Sequence, residues 1–340
     1  MRIAKTLMAA ALGAAVLLGG ALVFGFIRMR EVDVEIARAP RLEIGLVQPN
    51  FAYAADGEIS TEEILSQLAA LQGESQRMQR AGVDLIIWSE GSYPVSLPRD
   101  FSHDFPADSP AMIRRGFSTP VVVGTTMVAG DDAFNTALLM DSKGQVLSRY
   151  DKVYLMAFGE YIPGVSLFPW IRRLLPDGAG AFKPGTGPAL LTLPPVRGQT
   201  WRLGPLICYE DLLPDFIRRT GALHPNVLIN LTSDQWFGDG GEPWQHLALS
   251  VFSAIEVRTS LVRAVNSGIS ANIDPNGRLL EKTYADDPYR HPHAADAIRV
   301  SVPTMAGGHT LFVAWGDWFV YLCLLCTAGL GVRASRSHHE

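Results

Sequence analysis

Two long apolar runs bracket the chain, and between them short apolar segments alternate with amphipathic ones. Leu7 to Ile27 carries no charged residue. About 20 apolar residues cross a hydrocarbon core, so this run predicts a membrane helix inside an anchor over residues 1–30. A cleavable signal peptide is the rival reading, because Arg2 and Lys5 form a charged leader. The apolar core is longer than the usual ~7–15 residues, which favours a retained anchor. Leu311 to Val332 predicts a second membrane helix, within residues 310–333, with Trp315 and Trp318 at one end and Arg333 and Arg336 just past the other. Asp317 fits this helix at headgroup level, since a carboxylate deep in lipid is expensive. The placement of Arg2, Lys5, Arg333 and Arg336 puts both termini on the cytoplasmic side of an inner membrane, with Arg28 and Arg30 opposing. Everything between the helices then lies on the periplasmic, extracytoplasmic side.

Within that interval, Leu42 to Gln48 predicts a strand and Glu58 to Arg80 a helix. Strands follow at Asp84 to Trp88 and Pro120 to Met127, and Phe134 to Asp141 and Gln145 to Tyr150 read as a hairpin around Ser142-Lys143-Gly144. Further strands are expected at Gly187 to Leu193, Trp201 to Ile207 and Val227 to Leu231, then a helix at Pro243 to Arg258. Leu261 to Val265 and Ser270 to Asp274 complete the set, with a turn at Pro275-Asn276-Gly277. Alternation of this kind predicts one layered α/β domain over residues 41–303. Met29 to Pro40 and Ala285 to Ala295 read as linkers, because charge, proline and histidine displace apolar periodicity there.

Composition narrows the function classes. The 340 residues carry a formal net charge of -5 and no basic stripe, so a nucleic-acid partner is excluded. Cys208, Cys323 and Cys326 give no disulfide framework, and no Cys/His cluster has metal-site spacing, so no metal is expected. Cys323 and Cys326 sit among leucines, where a membrane helix explains them better than redox chemistry.

Cys208 is the remaining chemical candidate. It closes an apolar strand, and the chain after it reads as a helix whose positive end would favour a thiolate. Glu90 likewise follows the strand Asp84 to Trp88, and Lys152 follows the hairpin strand ending at Tyr150. Residues distant in sequence converge at the carboxyl ends of strands in α/β sheets. A thiol, a carboxylate and an ammonium would then serve as nucleophile, general base and oxyanion stabiliser. Taken singly, each has a plainer reading: a small buried hydrophobe for the cysteine, solvated surface charges for the other two.

The motifs around these positions resemble the Glu, Lys and Cys motifs of the nitrilase superfamily, in the same order. They read Ile86-Ile87-Trp88-Ser89-Glu90, Tyr150-Asp151-Lys152-Val153-Tyr154 and Leu206-Ile207-Cys208-Tyr209-Glu210-Asp211. More narrowly, the chain is similar to the catalytic domain of the apolipoprotein N-acyltransferase family. That likeness rests on Phe158-Gly159-Glu160-Tyr161-Ile162-Pro163, on Asp234-Gln235-Trp236-Phe237-Gly238-Asp239 with Pro243-Trp244-Gln245-His246, and on the stretch Arg263 to Ser270. It extends from about Leu42 to Trp318.

The resemblance implies a four-layer αββα sandwich, to which the two apolar runs would add one transmembrane helix at each end. It implies an enzyme that takes an acyl chain from a phospholipid as a cysteine thioester and passes it to the α-amine of a lipoprotein, with no cofactor. Glu90 would be the base, Lys152 the oxyanion and thiolate stabiliser, and Cys208 the nucleophile. Glu160, Tyr209 and Glu210 would support them, with a buried salt-bridge partner to Lys152 as the plainer role for Glu160. Trp236 and Phe237, beside Gly238, Gly240 and Gly241, suit a substrate-gripping lid, with core packing as the alternative. His246 reads as a structural hydrogen-bonder.

Two departures stand out. Ser89 replaces the family's proline, and one apolar helix stands where the family has a multi-helix membrane bundle. Substrate access would then involve a partner membrane protein. A membrane-anchored carbon-nitrogen hydrolase of amidase or nitrilase type, using the same three residues with water as acceptor, is the alternative reading.

Overall fold

A computed structural model describes residues 2–51, 59–164, 170, 182–235, 240–284, 295–305 and 307–337. The first half comprises α1 (Arg2–Arg38), β1 (Arg41–Gln48), α2 (Thr61–Arg80), β2 (Leu85–Trp88), β3 (Leu97–Pro98), β4 (Val121–Ala129), β5 (Asp132–Met140) and β6 (Val146–Asp151). Next come β7 (Leu191–Val196), β8 (Gln199–Ile207), α3 (Pro214–Gly221), β9 (Val227–Thr232), α4 (Glu242–Val257) and β10 (Ser260–Val265). The chain ends with β11 (Ala271–Ile273), β12 (Leu279–Lys282), β13 (Asp296–Pro303), α5 (Leu311–Trp315) and α6 (Trp318–Ser337).

Two sheets result. The first runs β13-β1-β2-β4-β5-β6, with β3 paired to β4, and the second runs β12-β11-β10-β9-β8-β7. Their centres are parallel, β1-β2-β4 in one and β8-β9-β10 in the other, and their margins are antiparallel. Parallel strands are covered on both faces, which is why β2 reads as an unbroken apolar run. The period of two sorts that run: Leu85 and Ile87 join the core that also holds Leu203, Leu228 and Ile229 of the second sheet. Ile86 and Trp88 point the other way, onto Leu68, Leu71 and Met78 of α2. Trp88 Nε1 donates to Ser75 Oγ of α2 at 2.9 Å, so the indole is buried without an orphaned donor. Ser60 starts α2 as its N-cap, its side chain accepting from the Glu63 amide. Phe216 and Ile217 of α3 and Leu247, Ala254 and Val257 of α4 cover the second sheet. A two-sheet α/β fold with helices outside it thus matches the expected class.

Three expectations change. The linker expected at Met29 to Pro40 is helix: α1 continues to Arg38, with Val32 fully buried and Asp33 paired to Arg278. Asn276 fastens the same turn by donating to Met29 O at 3.0 Å and Asp33 Oδ1 at 2.9 Å. Tertiary contacts, invisible to periodicity, hold this polar stretch in helix. The single C-terminal span is broken at Gly316, whose φ of 59° separates α5 from α6. The apolar part of α6, Trp318–Leu330, is shorter than a bilayer crossing requires, so a second spanning helix is not clearly supported. Among the described residues, α1 alone is long and apolar enough to cross a membrane. Finally, β13 pairs with β1 along its whole length, from Arg41 with Pro303 to Gln48 with Asp296, although its charged residues hid it. Most of the linker expected at Ala285 to Ala295 lies outside the described residues.

Gly124 marks where the sheet is tightest. A Cβ there would stand 2.1 Å from Ser89 O and 2.8 Å from Glu90 Cα, against backbone that cannot turn aside. Gly124→Ala should destabilise the fold by about 1–3 kcal/mol in denaturant unfolding. By contrast, Gly73→Ala in α2, where nothing lies within 4 Å, should stabilise it by roughly 0.5–1 kcal/mol. Equal effects from the two substitutions would contradict this packing.

Candidate active site

Three strands deliver the expected trio. Glu90 lies two residues past β2, Lys152 one past β6, and Cys208 one past β8. Lys152 is pinned from both sides along its backbone, its N–H donating to Asn135 O and its carbonyl accepting from Gly185 N, each at 2.8 Å. Its ammonium is almost fully buried and donates to Glu90 Oε1 at 3.2 Å and Glu160 Oε1 at 3.0 Å. Asn135 Nδ2 bridges the same two carboxylates, 2.7 Å from Glu90 and 2.9 Å from Glu160. Sequence reasoning missed Asn135. Its one signal is a buried amide inside the largely apolar β5, where a polar side chain needs partners.

Burial raises the Glu90 carboxyl above its ordinary range, and Glu160 pushes it further against the opposing pull of Lys152. For Lys152, burial works against the charge, yet Glu90, Cys208 and Glu160 outweigh it and raise the ammonium. It therefore stays charged at neutral pH. Burial and Glu90 together push the Cys208 thiol well up, opposed by Lys152 and by the Tyr209 backbone N–H. At rest the site holds a protonated thiol within the electrostatic reach of the Glu90 carboxyl.

Cys208 itself is half-buried and adopts φ 57°, a left-handed conformation that a side chain rarely takes. This strain aims the side chain out of the strand line at a sharp turn, as functional sites often do. The helix expected behind it is a five-residue 3-10 turn, Cys208–Leu212, and α3 begins only at Pro214. So short a turn offers little macrodipole, and the positive charge that lowers the thiol pKa is that of Lys152. The turn is fixed instead by hydrogen bonds. Asn230 Nδ2 donates to Cys208 O at 2.8 Å, and the wholly buried Glu210 accepts from Ile207 N, Val153 N, Tyr154 N and Tyr150 OH at 2.7–3.1 Å.

Glu210 is thus a clamp between the nucleophile turn and the segment after Lys152. Tyr209 sets its ring 5.8 Å from Lys152 Nζ and donates its OH to Leu155 O. Glu160 does contact Lys152, and its other oxygen accepts from Met156 N at 2.8 Å. Trp236 and Phe237 lie outside the described residues. A cavity of about 170 Å³ opens beside Glu90, between Phe51, Gln67, Ser92, Tyr93, Thr126 and Asn266.

Comparison with known proteins gives this geometry a family. The carbon-nitrogen hydrolase model matches residues 44–287. An apolipoprotein N-acyltransferase of Geobacter metallireducens is 30% identical over 96% of this chain and 60% of its own length. Another from Rhodopseudomonas palustris is 34% identical over 76% and 48%, and apolipoprotein N-acyltransferase 2 of Treponema pallidum is 33% identical over 75% and 46%. The chain thus spans roughly half the length of these relatives. Among solved structures, a mutant of the Nesterenkonia AN1 amidase from the nitrilase superfamily superposes with a TM-score of 0.53 at 21% identity, over 78% of this chain and 93% of the amidase.

Replacing Glu210 by Gln would turn one accepting oxygen into a donor facing donors. The expected loss is about 1–3 kcal/mol in urea unfolding. Burial lifts the Glu210 carboxyl from 4.5 to about 7, so the folded chain holds this proton more tightly than the unfolded one. Its contribution is therefore full below pH 4.5 and lost as pH rises through about 7, a slope that should be absent in Glu210→Gln. An unchanged slope would remove Glu210 from this role.

Proposed function

The chain belongs to the carbon-nitrogen hydrolase family, and from that premise we propose that it is a membrane-tethered N-acyltransferase acting through a Cys208 thioester. The observation that carries this reading is the buried contact of Lys152 with Glu90 beside the strained Cys208 turn. Glu90 takes the Sγ proton while sulfur attacks an ester carbonyl of a phospholipid. The oxyanion develops beside the Lys152 ammonium, the ester C–O bond breaks, and Glu90 returns the proton to the departing alkoxide. In the second half-reaction the terminal amine of a lipoprotein attacks the thioester carbonyl and gives a proton to Glu90. The C–S bond then breaks, and the released thiolate recovers that proton. Glu160 holds the ammonium, while Tyr209 and Glu210 hold the turn; no cofactor enters.

Residues 41–303 act as the catalytic αββα unit in this proposal, and α1 tethers it to the inner membrane with the domain on the periplasmic side. Support comes from the length and hydropathy of α1 and from relatives named as N-acyltransferases. In this proposal a partner membrane protein would supply the lipid path. A membrane tether and a lipid donor belong together, which favours transfer over hydrolysis of a soluble amide.

Full-length protein incubated with phosphatidylethanolamine vesicles should gain one acyl mass on Cys208, discharged by a diacylglyceryl-cysteine peptide. Cys208→Ala should show none, and Glu90→Gln should slow adduct formation by roughly 10²–10⁴-fold with vesicle binding retained. Absence of any adduct, together with ammonia release from small amides, would replace this reading by the hydrolase.

A further inference from the structure

Behind the nucleophile turn lies a second cluster of buried charge. Asp211, the third residue after Cys208, is completely buried and reaches away from Lys152 into α4 and β10. Its Oδ1 meets His246 Nε2 at 3.0 Å, and its Oδ2 accepts from Ser250 Oγ at 2.7 Å and Arg263 Nη1 at 2.8 Å. Ser253 Oγ donates to the Asp211 carbonyl. The other nitrogen of His246, Nδ1, meets Asp234 Oδ1 at 2.9 Å. Carboxylates accept and do not donate, so an imidazole held between two of them must carry a proton on each nitrogen.

Charge balance agrees. Asp211 and Asp234 offset Arg263 and a cationic His246, whereas a neutral imidazole would leave one buried negative charge uncompensated. Arg263 Nη2 lies 3.7 Å from Asp234 Oδ2, and Glu242 faces Nδ1 from one turn earlier at 3.8 Å. Asp234, Glu242 and His246 are close enough together to hold a metal ion, but both imidazole nitrogens are engaged and Arg263 stands over the same carboxylate.

We propose that His246, as an imidazolium, is a positioning residue for the acylation step: it ties the turn carrying Cys208, through Asp211, to the segment entered at Asp234. This deepens the reading of the same site and rests on Cys208 forming an acyl-enzyme. Glu210 fixes one side of the turn to the Lys152 segment, and Asp211 with His246 fixes the other to α4. With both ties intact, the backbone cannot relax out of the left-handed conformation at Cys208. Burial and Arg263 oppose the imidazolium, yet Asp211 and Asp234 hold its pKa up to about 9. A raised pKa means the tie is complete below the ordinary 6.5 and is lost as pH rises through about 9. Asp211, Asp234, Glu242 and Arg263 are the charged groups facing it, and Glu242, raised to about 7, titrates below that window.

The test is single-turnover acylation of Cys208 by p-nitrophenyl butyrate, read by intact mass on full-length protein from pH 6 to 10. This probe needs neither a lipid donor nor an amine acceptor. Wild type should lose rate as pH rises through about 9 while its circular dichroism is unchanged. His246→Gln should lower the rate at pH 7.5 by roughly ten- to a hundredfold and abolish the alkaline limb. Asp211→Asn should move that limb to lower pH, and it decides the matter if His246→Gln does not fold. A wild-type profile without an alkaline limb overturns the proposal, as does an unmoved limb in folded variants. Failure of wild type to acylate at any pH would instead sink the Cys208 thioester itself, and this inference with it.

Discussion

A lysine ammonium with almost no access to water is the constraint around which the site is arranged. Leaving such a charge uncompensated in the interior would cost several kcal/mol, so the fold must bring anions to it. It brings two, Glu90 from the first sheet and Glu160 from the segment after β6, and bridges them with Asn135. Burial raises the Glu90 carboxyl above its ordinary range, Lys152 pulls it back, and the second carboxylate, Glu160, adds to the rise. Burial, with the negative charge of Glu90 beside it, likewise keeps the Cys208 thiol protonated at rest. Both shifts thus begin with burial and are modulated by the charges that the fold gathers there, because each group titrates in the field of the others.

The nucleophile turn obeys a related logic with hydrogen bonds in place of a helix end. Cys208 occupies a backbone region that strain would vacate, so neighbouring residues must hold it there. Glu210 and Asp211, adjacent in sequence, point in opposite directions. Glu210 gathers four donors, three from the Lys152 segment and one from Ile207 of its own turn, and Asp211 gathers His246, Ser250 and Arg263 on the side of α4. Both carboxylates are fully buried. A dipeptide of two buried acids is a poor surface feature and a strong anchor, since each acid is satisfied only when the turn has its native shape.

Much of this was legible in the order of residues along the chain. The parallel strands β2 and β9 announce themselves as short apolar runs, and residues just past β2 and β8 are where chemistry was expected. Glu90 and Lys152 could be brought together by their places at strand ends and, more firmly, by motif likeness, since nothing local says that two such charges meet. Three features had no local signal. The φ of Cys208 depends on contacts from Glu210 and Asp211. The helical state of Met29 to Arg38 depends on Asn276 and Arg278, far along the chain. The split at Gly316 was hidden because hydropathy continues smoothly across it while one backbone angle does not. Asn135 was legible in principle, being the odd amide in a buried strand.

The extension of α1 bears on how the domain would be held in the proposed membrane setting. An anchor joined through a flexible linker would let the domain tumble over the membrane, and the site would find lipid only occasionally. Here the helix runs without interruption from its apolar stretch into the domain, where Val32 is buried and Asp33 is gripped by Arg278 and Asn276. Those two residues flank Gly277, where a Cβ would press on Val251 and Ile255 of α4. The helix is therefore seated on a turn that itself packs against α4, the element that carries His246. In the proposed membrane setting, tilt of α1 would be passed to the domain as a rigid rotation, and the direction in which the strand ends face would be set by the anchor.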